Sequence, residues 1–306
     1  MTAVDTAPPR IETPAARPAR PAARVQARVR SELELRPQLT ADALRLFALG
    51  IALFLIYVLM LGALQYNRAQ DVAYDKIRGQ LAEATAPLGP GMVFGDPVAV
   101  LDVPGLGLRQ VIREGTTGSV LRDGPGHRAD TPLPGQAGVS VIYGRGLTFG
   151  APFRALPNLT KDARIELVTG QGQFVYQVLG VRRAGDPLPA AMANGASRIT
   201  LVTAEGSPLP SKTVYVDAEL IEGQVQPDPA MRVARVPDSE QALGVDLSGV
   251  LPLVLWLEAL IVAVGGVVWF RSRIGKWESY LIGGPIVLAL LWRVFEQVSG
   301  LLPNLI

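Results

Sequence analysis

The sequence contains no cysteine and a single histidine among its 306 residues. The lack of cysteine excludes disulfide bonds, and it excludes a thiol as nucleophile anywhere in the chain. Charged residues are also scarce, at 18% against 49% for hydrophobic residues. The mean hydropathy of +0.27 is high for a water-soluble protein. We therefore expect the apolar residues to be concentrated in membrane-spanning segments.

Three apolar runs are candidates for such segments. Residues 46–64 carry no charged side chain, and a helix of that length covers roughly 28 Å, close to the hydrocarbon thickness of a bilayer. The other runs are Val250–Phe270 and Tyr280–Phe295. A buried soluble helix is a weaker alternative for the first run. A cleaved signal peptide is disfavoured, because the run begins too far into the chain and no small-residue cleavage motif follows it.

Basic residues predict the orientation of these segments. The short turn between the second and third runs contains Arg271, Arg273 and Lys276, and the residues before the first run are rich in arginine. Short basic loops stay in the cytoplasm. We therefore predict a multi-pass plasma-membrane protein with its N-terminus in the cytoplasm and the region between the first two helices outside.

The chain divides into regions of distinct composition. These are a disordered cytoplasmic tail rich in Arg, Pro and Ala (1–44), a first transmembrane helix (45–66), a helical spacer (67–94), an extracytoplasmic β-rich domain (95–220), a linker (221–248), a second transmembrane helix (249–270), a basic cytoplasmic turn (271–277), a third transmembrane helix (278–297) and an extracytoplasmic C-terminus (298–306). Arginines of the tail could contact anionic lipid; the alternative is a solvated tail without a partner.

Short β-type runs separated by glycine and proline predict the fold of the central region. They are Val98–Val103, Val139–Tyr143, Arg164–Val168, Phe174–Val181, Ile199–Thr203 and Thr213–Leu220. Runs of this length bounded by turn residues are typical of a sandwich or a barrel.

Two charges lie within the apolar segments. Glu258 and Arg293 should lie at similar depths in the outer part of the bilayer, where charges tend to pair or to face protein. We predict an intramembrane pair between them. The alternatives are that one of them meets the helix of a partner, or that Arg293 extends to the interface.

Motifs in the central region resemble the sortase family, most closely its actinobacterial classes D and E. They are Gly95–Pro104, Val111–Gly115, Leu121–His127, Thr131–Gln136, Gly150–Phe153 and Ile199–Thr203. The abundance of Arg, Ala, Gly and Pro also suggests a GC-rich genome. The resemblance implies an all-β sortase-like β-barrel that binds an extended peptide, accompanied here by three transmembrane α-helices. A sortase forms a thioester on a cysteine, with a histidine as acid and base and an arginine that holds substrate and oxyanion.

The chain departs from this family at each catalytic position. Arg145 stands at the histidine position, Ala204 at the cysteine position and Thr213, beside Lys212, at the arginine position. A methyl group cannot attack a carbonyl, and a guanidinium does not accept a proton near neutral pH. We therefore expect a degenerate sortase without transpeptidase activity.

A relocated active site is a weaker alternative. Thr203 or Ser207 would need a neighbouring base, and Glu205 is the only candidate in the sequence. His127 lies in a Gly-Pro-Gly-His turn of the family, away from the catalytic histidine position, and we interpret it as structural.

These observations predict a catalytically inactive scaffold, or a peptide-binding or partner-binding subunit, in a cell-envelope complex. Arg145 and Lys212 could bring positive charge to the mouth of the former site and bind a carboxylate or an anionic cell-wall group; the alternative is that both face solvent. We expect a membrane-protein partner, no nucleic acid, no metal and no cofactor. The alternative function is a cysteine-independent or in-trans-assisted transpeptidase or hydrolase acting on secreted proteins.

Overall fold

The computed structural model describes residues 44–45, 47–89, 92–206, 210–228, 236–273 and 275–306. The chain divides into two compact units, residues 1–53 and residues 54–306. The described part of the first unit is helical. The tail predicted for residues 1–44 lies, except for Leu44, outside the described residues. The sections below concern the second unit.

Eight strands form a closed barrel, which confirms the predicted barrel. The strands are β1 (Pro97–Val103), β2 (Leu108–Glu114), β3 (Gly126–His127), β4 (Gly138–Tyr143), β5 (Arg164–Thr169), β6 (Gly172–Arg183), β7 (Ser197–Glu205) and β8 (Lys212–Glu222). Their order around the barrel is β1-β2-β3-β4-β7-β8-β6-β5. The pairs β2–β3 and β4–β7 are parallel, and the remaining pairs are antiparallel.

Branched aliphatic and aromatic side chains fill the barrel. Leu101, Ile112, Leu167, Tyr176 and Val216 are among the fully buried members of this core. Alternating burial in β5 shows why these sequences form strands, since successive side chains point inward and outward. β7 is buried along nearly its whole length, because it lies between two strands and is covered on both faces.

In the described part of the chain after the π-helical turn at Tyr57–Leu61, four α-helices accompany the barrel. They are α1 (Gly62–Ala82), which follows that turn, then α2 (Gly118–Asp123), α3 (Val250–Arg273) and α4 (Lys276–Gly300). Among the described residues, three helical segments are long and apolar enough to cross a membrane: Phe47–Ala82, Leu247–Arg271 and Trp277–Gly300. The three predicted transmembrane segments are confirmed to this extent.

The long N-terminal helix is joined to the barrel by polar and aromatic contacts. The Gln70 side chain accepts a hydrogen bond from the Val111 N–H (2.7 Å) and donates to the carbonyls of Val111 (3.2 Å) and Asp123 (2.9 Å). At the π turn, the Val58 carbonyl accepts from the Phe149 N–H at 3.2 Å. Tyr57 packs edge-on against the Phe149 ring, with 6.2 Å between centroids. The helix therefore contacts the barrel along several turns.

Aromatic rings also connect this helix to α4. The Tyr57 ring lies 5.0 Å from that of Trp292 and 5.7 Å from that of Phe295, measured between centroids. The hairpin α3–α4 therefore packs against the same turn that contacts the barrel loop at Phe149.

Candidate degenerate active site

The three positions that the resemblance assigns to catalysis lie at one end of the barrel. In the parallel pair β4–β7, Tyr143 is opposite Val202. The Gly144 N–H donates to the Val202 carbonyl at 2.9 Å, so the chain stays beside β7 as it approaches Arg145. Ala204 is directly opposite Thr213 in the antiparallel pair β7–β8. The structure therefore brings Arg145, Ala204 and Thr213 into one neighbourhood, which we call the degenerate site.

A close approach of two backbones defines the centre of this site. A Cβ atom on Gly146 would lie 2.4 Å from the main-chain oxygen of Ala204 and 3.1 Å from the Thr203 Oγ1. The first distance is far inside van der Waals contact, so any larger residue at 146 would push the two segments apart. Glycine is required here for packing, and it places the chain beside Arg145 directly on Ala204.

The Arg145 side chain is fully buried, with 0% of its surface exposed. Its guanidinium donates to the carbonyl of Gly118 (2.8 Å), the Thr148 hydroxyl (3.1 Å) and the main-chain oxygen of Ile306 (2.8 Å). It also lies 5.1 Å from the centre of the Phe149 ring. The expectation that Arg145 presents its charge at an open mouth is therefore wrong, since the group is enclosed by hydrogen-bond acceptors of the chain itself.

Burial sets the electrostatics of this guanidinium. Desolvation, with a smaller contribution from nearby Arg122, lowers the pKa of Arg145 to about 9. This value remains above neutral pH, so the group is a cation under ordinary conditions. It is a hydrogen-bond donor and cannot serve as a base.

The segment Leu301–Ile306, which we call the tail segment, covers the degenerate site. Leu305 is fully buried in a cluster with Leu121, Tyr143, Val202 and Ala204. The Gly146 N–H donates to the Leu305 carbonyl at 2.9 Å. The side chain of Leu305 thus packs in the cluster that contains Ala204, the residue that the resemblance assigns to the nucleophile position.

Asn304 fixes the tail segment from the other side. Its N–H donates to the Gly244 carbonyl at 3.0 Å. Its side-chain amide donates to the carbonyls of Thr116 (2.9 Å) and Gln241 (2.8 Å). The residue is fully buried. The region predicted as a linker and the region predicted as an extracytoplasmic C-terminus therefore pack together at the barrel end.

Among the described residues, Thr203 as a relocated nucleophile lacks a suitable base. Thr203 is buried, and among the described residues its hydroxyl has no hydrogen-bond partner. The Glu205 carboxylate is engaged by the Arg183 guanidinium, at 2.5 and 3.2 Å. Lys212 is exposed, whereas Arg145 is buried, so the alternative that both face solvent does not describe the pair. Ser207 lies outside the described residues.

His127 has a structural position. Its Nδ1 lies 2.8 Å from the Glu114 carboxylate, and its Nε2 lies 2.9 Å from the Pro132 carbonyl. Both His127 and Glu114 are buried. The ring holds the strands β2 and β3 to the loop at Pro132, in agreement with the structural interpretation.

The predicted pair between Glu258 and Arg293 does not form. Arg293 instead contacts Glu296, with 2.9 Å between Nη1 and the carboxylate, and its guanidinium lies 5.9 Å from the centre of the Trp256 ring. Glu258 is exposed on α3. A glutamate one turn away on the same helix is reached more readily than one on another helix, which explains the difference.

Metal binding has no candidate in the part of the chain that the structure describes. There, no group of three or more histidine, cysteine, aspartate or glutamate side chains lies close enough to hold an ion.

Residues 101–221 match the family model of the sortase domain. The barrel is a sortase-like domain. It is a closed eight-stranded barrel, and the sequence provides no cysteine at any position. A search of the curated proteins finds no match.

Solved sortase structures resemble the sortase-like domain. Sortase E from Streptomyces avermitilis is 29% identical, with a TM-score of 0.38, and the match covers 49% of this chain and all of that one. A sortase D5 transpeptidase from Clostridium perfringens is 22% identical, with a TM-score of 0.41, over 51% and 98% of the two chains. Sortase A from Corynebacterium diphtheriae is 19% identical, with a TM-score of 0.39, over 53% and 86%.

The sequence does not predict that the tail segment packs against the barrel. The segment follows an apolar helix and contains Pro303 and Asn304, a composition typical of an exposed end. Its last three residues, Asn304 to Ile306, are too few to form a periodic pattern that would predict docking.

Proposed function

We propose that this chain is a catalytically inactive sortase-like membrane protein that acts as a scaffold or partner-binding subunit of a cell-envelope complex. One observation carries the proposal. The nucleophile position of the sortase-like domain is Ala204, in a chain without cysteine, and Leu305 packs against it.

The chemistry of the degenerate site supports inactivity. Acyl transfer needs a nucleophile and a base that takes its proton. Ala204 offers a methyl group, and Arg145 already donates three hydrogen bonds as a cation. Thr213 has no charge with which to stabilise an oxyanion. Each of the three roles is therefore missing.

The membrane hairpin supports a role in an assembly. A single helix is sufficient to anchor a domain, yet α3 and α4 are two further helices long and apolar enough to cross a membrane. The carboxylate of Glu258 is exposed on an apolar face of α3 that also carries Leu255 and Val262. A charge within hydrocarbon is costly unless it meets a polar partner. We infer that the hairpin meets another membrane protein at Glu258.

The first experiment tests inactivity. The purified full-length protein is incubated in mild detergent with the envelope fraction of its own cells and a biotin-labelled amine. We expect no biotin transfer above that of a boiled sample, and intact-mass analysis without an acyl adduct. An adduct mapped to any residue of the sortase-like domain would contradict the proposal and favour the cysteine-independent enzyme.

The second experiment tests the partner. Cells that produce the tagged protein are crosslinked in their native membranes, and the captured proteins are quantified by mass spectrometry. We expect a near-stoichiometric membrane protein whose recovery falls with Glu258→Gln and stays constant with Glu278→Gln, which changes an exposed carboxylate near the turn. Equal recovery in both variants would refute the role of Glu258.

A further inference from the structure

We propose that the degenerate site is a peptide-binding site, and that its ligand is the tail segment of the same chain. Bound there, the tail segment joins the membrane hairpin to the barrel and closes the site to other peptides. This inference rests on the proposed function, since a site occupied in this way cannot also process a substrate.

The site recognises the tail segment by two kinds of contact. An apolar pocket formed with Leu121, Tyr143 and Ala204 receives the Leu305 side chain. Donors from the barrel meet the peptide main chain, where the Gly146 N–H binds the Leu305 oxygen at 2.9 Å and Arg145 binds the Ile306 oxygen at 2.8 Å. Main-chain hydrogen bonds supply affinity, and a side-chain pocket supplies specificity. The tail segment is bound as a turn, since the Ile306 N–H donates to the Pro303 carbonyl at 3.1 Å. The ligand class is therefore a short turn-forming segment with a branched aliphatic residue at the position of Leu305.

The substitutions that remove catalysis are the same ones that build this site. Ala204 contributes only a methyl group to the cluster around Leu305, which leaves room for that side chain. Arg145 extends a long donor to the next residue of the peptide, where a shorter imidazole would have less reach. The changes at Arg145 and Ala204 thus each contribute a contact to the bound segment.

Short spacing couples the tail segment to the membrane helix. α4 ends at Gly300, four residues before the buried Asn304. A Cβ atom on Gly118 would lie 3.1 Å from the Gly300 oxygen and 3.7 Å from the Leu302 oxygen, so the end of α4 lies directly on α2. A displacement of α4 in the membrane must therefore move Leu305 relative to its pocket.

The tail segment leaves some polar groups of the site without partners. Among the described residues, Arg145 Nε, Thr203 Oγ1 and Asn304 Oδ1 are buried without a hydrogen bond. Unpaired buried polar atoms weaken a bound state. The bound segment is thus held by its covalent connection to α4 and by the single pocket that receives Leu305. A peptide of the same class can replace it once that connection is disturbed.

The first test uses the absence of cysteine from the chain. With Ala204→Cys as the sole thiol, the rate of modification by a charged maleimide reports whether the pocket is covered in the detergent-purified full-length protein. We expect modification to accelerate at least tenfold when Leu305→Ala is added, and to remain unchanged when Leu301→Ala, a half-buried position, is added instead. Equal rates in all three proteins would overturn the inference.

The second test measures binding of a fluorescent peptide with the sequence of residues 301–306. A tethered segment competes at a high effective concentration, so we expect the peptide to bind the Leu305→Ala protein at least about tenfold more tightly than the parent. Ala204→Leu should fill the pocket and abolish binding in the Leu305→Ala background. Equal peptide affinity for the parent and the Leu305→Ala protein, or binding unaffected by Ala204→Leu, would overturn the inference.

A third measurement separates a tail segment that docks within its own chain from one that docks into a second copy. Oxidation of the variant with both Ala204→Cys and Leu305→Cys should give a crosslinked monomer on a denaturing gel. A crosslinked dimer would overturn the intrachain latch. Neither outcome bears on acyl transfer, so the assay with the biotin-labelled amine remains a separate test of inactivity.

Discussion

The buried guanidinium of Arg145 donates hydrogen bonds to three oxygen acceptors. Arg145→Met keeps much of the side-chain volume but leaves the carbonyl of Gly118 without this donor, while the main-chain oxygen of Ile306 keeps the Thr148 hydroxyl. Each buried group that loses its partner costs about 1–3 kcal/mol. We therefore expect a lower melting temperature for the purified full-length protein, measured by the fluorescence of its tryptophans.

Lys212→Met provides the control, because this neighbouring cation is exposed. Surface substitutions usually change stability by less than about 0.5 kcal/mol. A higher melting temperature for Arg145→Met would show that the desolvation cost of the guanidinium outweighs its hydrogen bonds.

Glu240 gives stability a predictable dependence on pH. Burial raises the pKa of its carboxyl above the ordinary value of 4.5, although the hydrogen bonds from Thr116 act in the opposite direction. The folded protein therefore keeps this proton at pH values where the unfolded chain has lost it. Its contribution to stability is greatest below pH 4.5 and is lost as the pH rises through the folded-state pKa.

Glu240→Gln tests this dependence. The amide oxygen can accept the same hydrogen bonds from Thr116 and stays neutral at every pH. We expect the melting temperature of the variant, relative to the parent, to rise between pH 4.5 and pH 7. Glu219→Gln, at a half-exposed position of β8, should show no such trend. A constant difference across this range for Glu240→Gln would contradict the assignment.

At the scale of single residues, the sequence shows which residue types occupy the positions that the resemblance assigns to catalysis. It does not predict what surrounds their side chains. The order of the motifs assigned Arg145, Ala204 and Thr213 to catalytic positions, and the absence of a cysteine needs no structure. The burial of Arg145 was not predictable, because its covering partner Ile306 is 161 positions away in the sequence. Local pattern carries no information about such a contact.

At the scale of elements, strand prediction succeeded where burial imposes a pattern. The six predicted runs all lie within observed strands, among them β5 and β7. β2 was not predicted as a strand, because its sequence contains Arg109, Gln110 and Arg113 on a partly exposed face. β3 has two residues, Gly126 and His127, and is too short for any periodicity. Pairing with neighbouring strands makes both β2 and β3 adopt strand structure.

The connection between the long helix and the barrel depends on Gln70. Its amide pairs with both backbone groups of Val111 and with the Asp123 carbonyl. Gln70→Ala removes these contacts from a partly buried interface, where each lost partner costs about 1–3 kcal/mol. We expect a lower melting temperature and faster proteolysis near α2, followed by mass spectrometry.

Asp75→Ala is the matched control, as it alters an exposed position on the same helix. It should leave both the melting temperature and the cleavage rate near those of the parent. Equal effects of the two substitutions would indicate a general loss of helix stability, and Gln70 would then have no particular role in joining helix to barrel.

At the scale of the whole molecule, the hairpin and the tail segment constrain the topology. α3 leaves the barrel side and α4 returns to it, because the tail segment that follows α4 contacts Arg145 and Gly146. The turn that contains Arg271 and Arg273 is therefore at the far end of the hairpin. Short basic turns stay in the cytoplasm. We predict that the barrel lies outside the cytoplasm and the turn inside.

Single-cysteine variants test this orientation directly, because the parent chain has no thiol to label. Lys212→Cys places a thiol on the exposed barrel surface, and Arg273→Cys places one in the turn while Arg271 and Lys276 keep the turn basic. With a membrane-impermeant maleimide, we expect Lys212→Cys to be labelled in intact cells and Arg273→Cys only after permeabilisation. The reverse pattern would place the degenerate site in the cytoplasm. Secreted proteins fold outside the cytoplasm, so they could not bind the site there. Labelling of both in intact cells would mean that the hairpin does not span the membrane, and the coupling of α4 to Leu305 would then have to operate at the membrane surface.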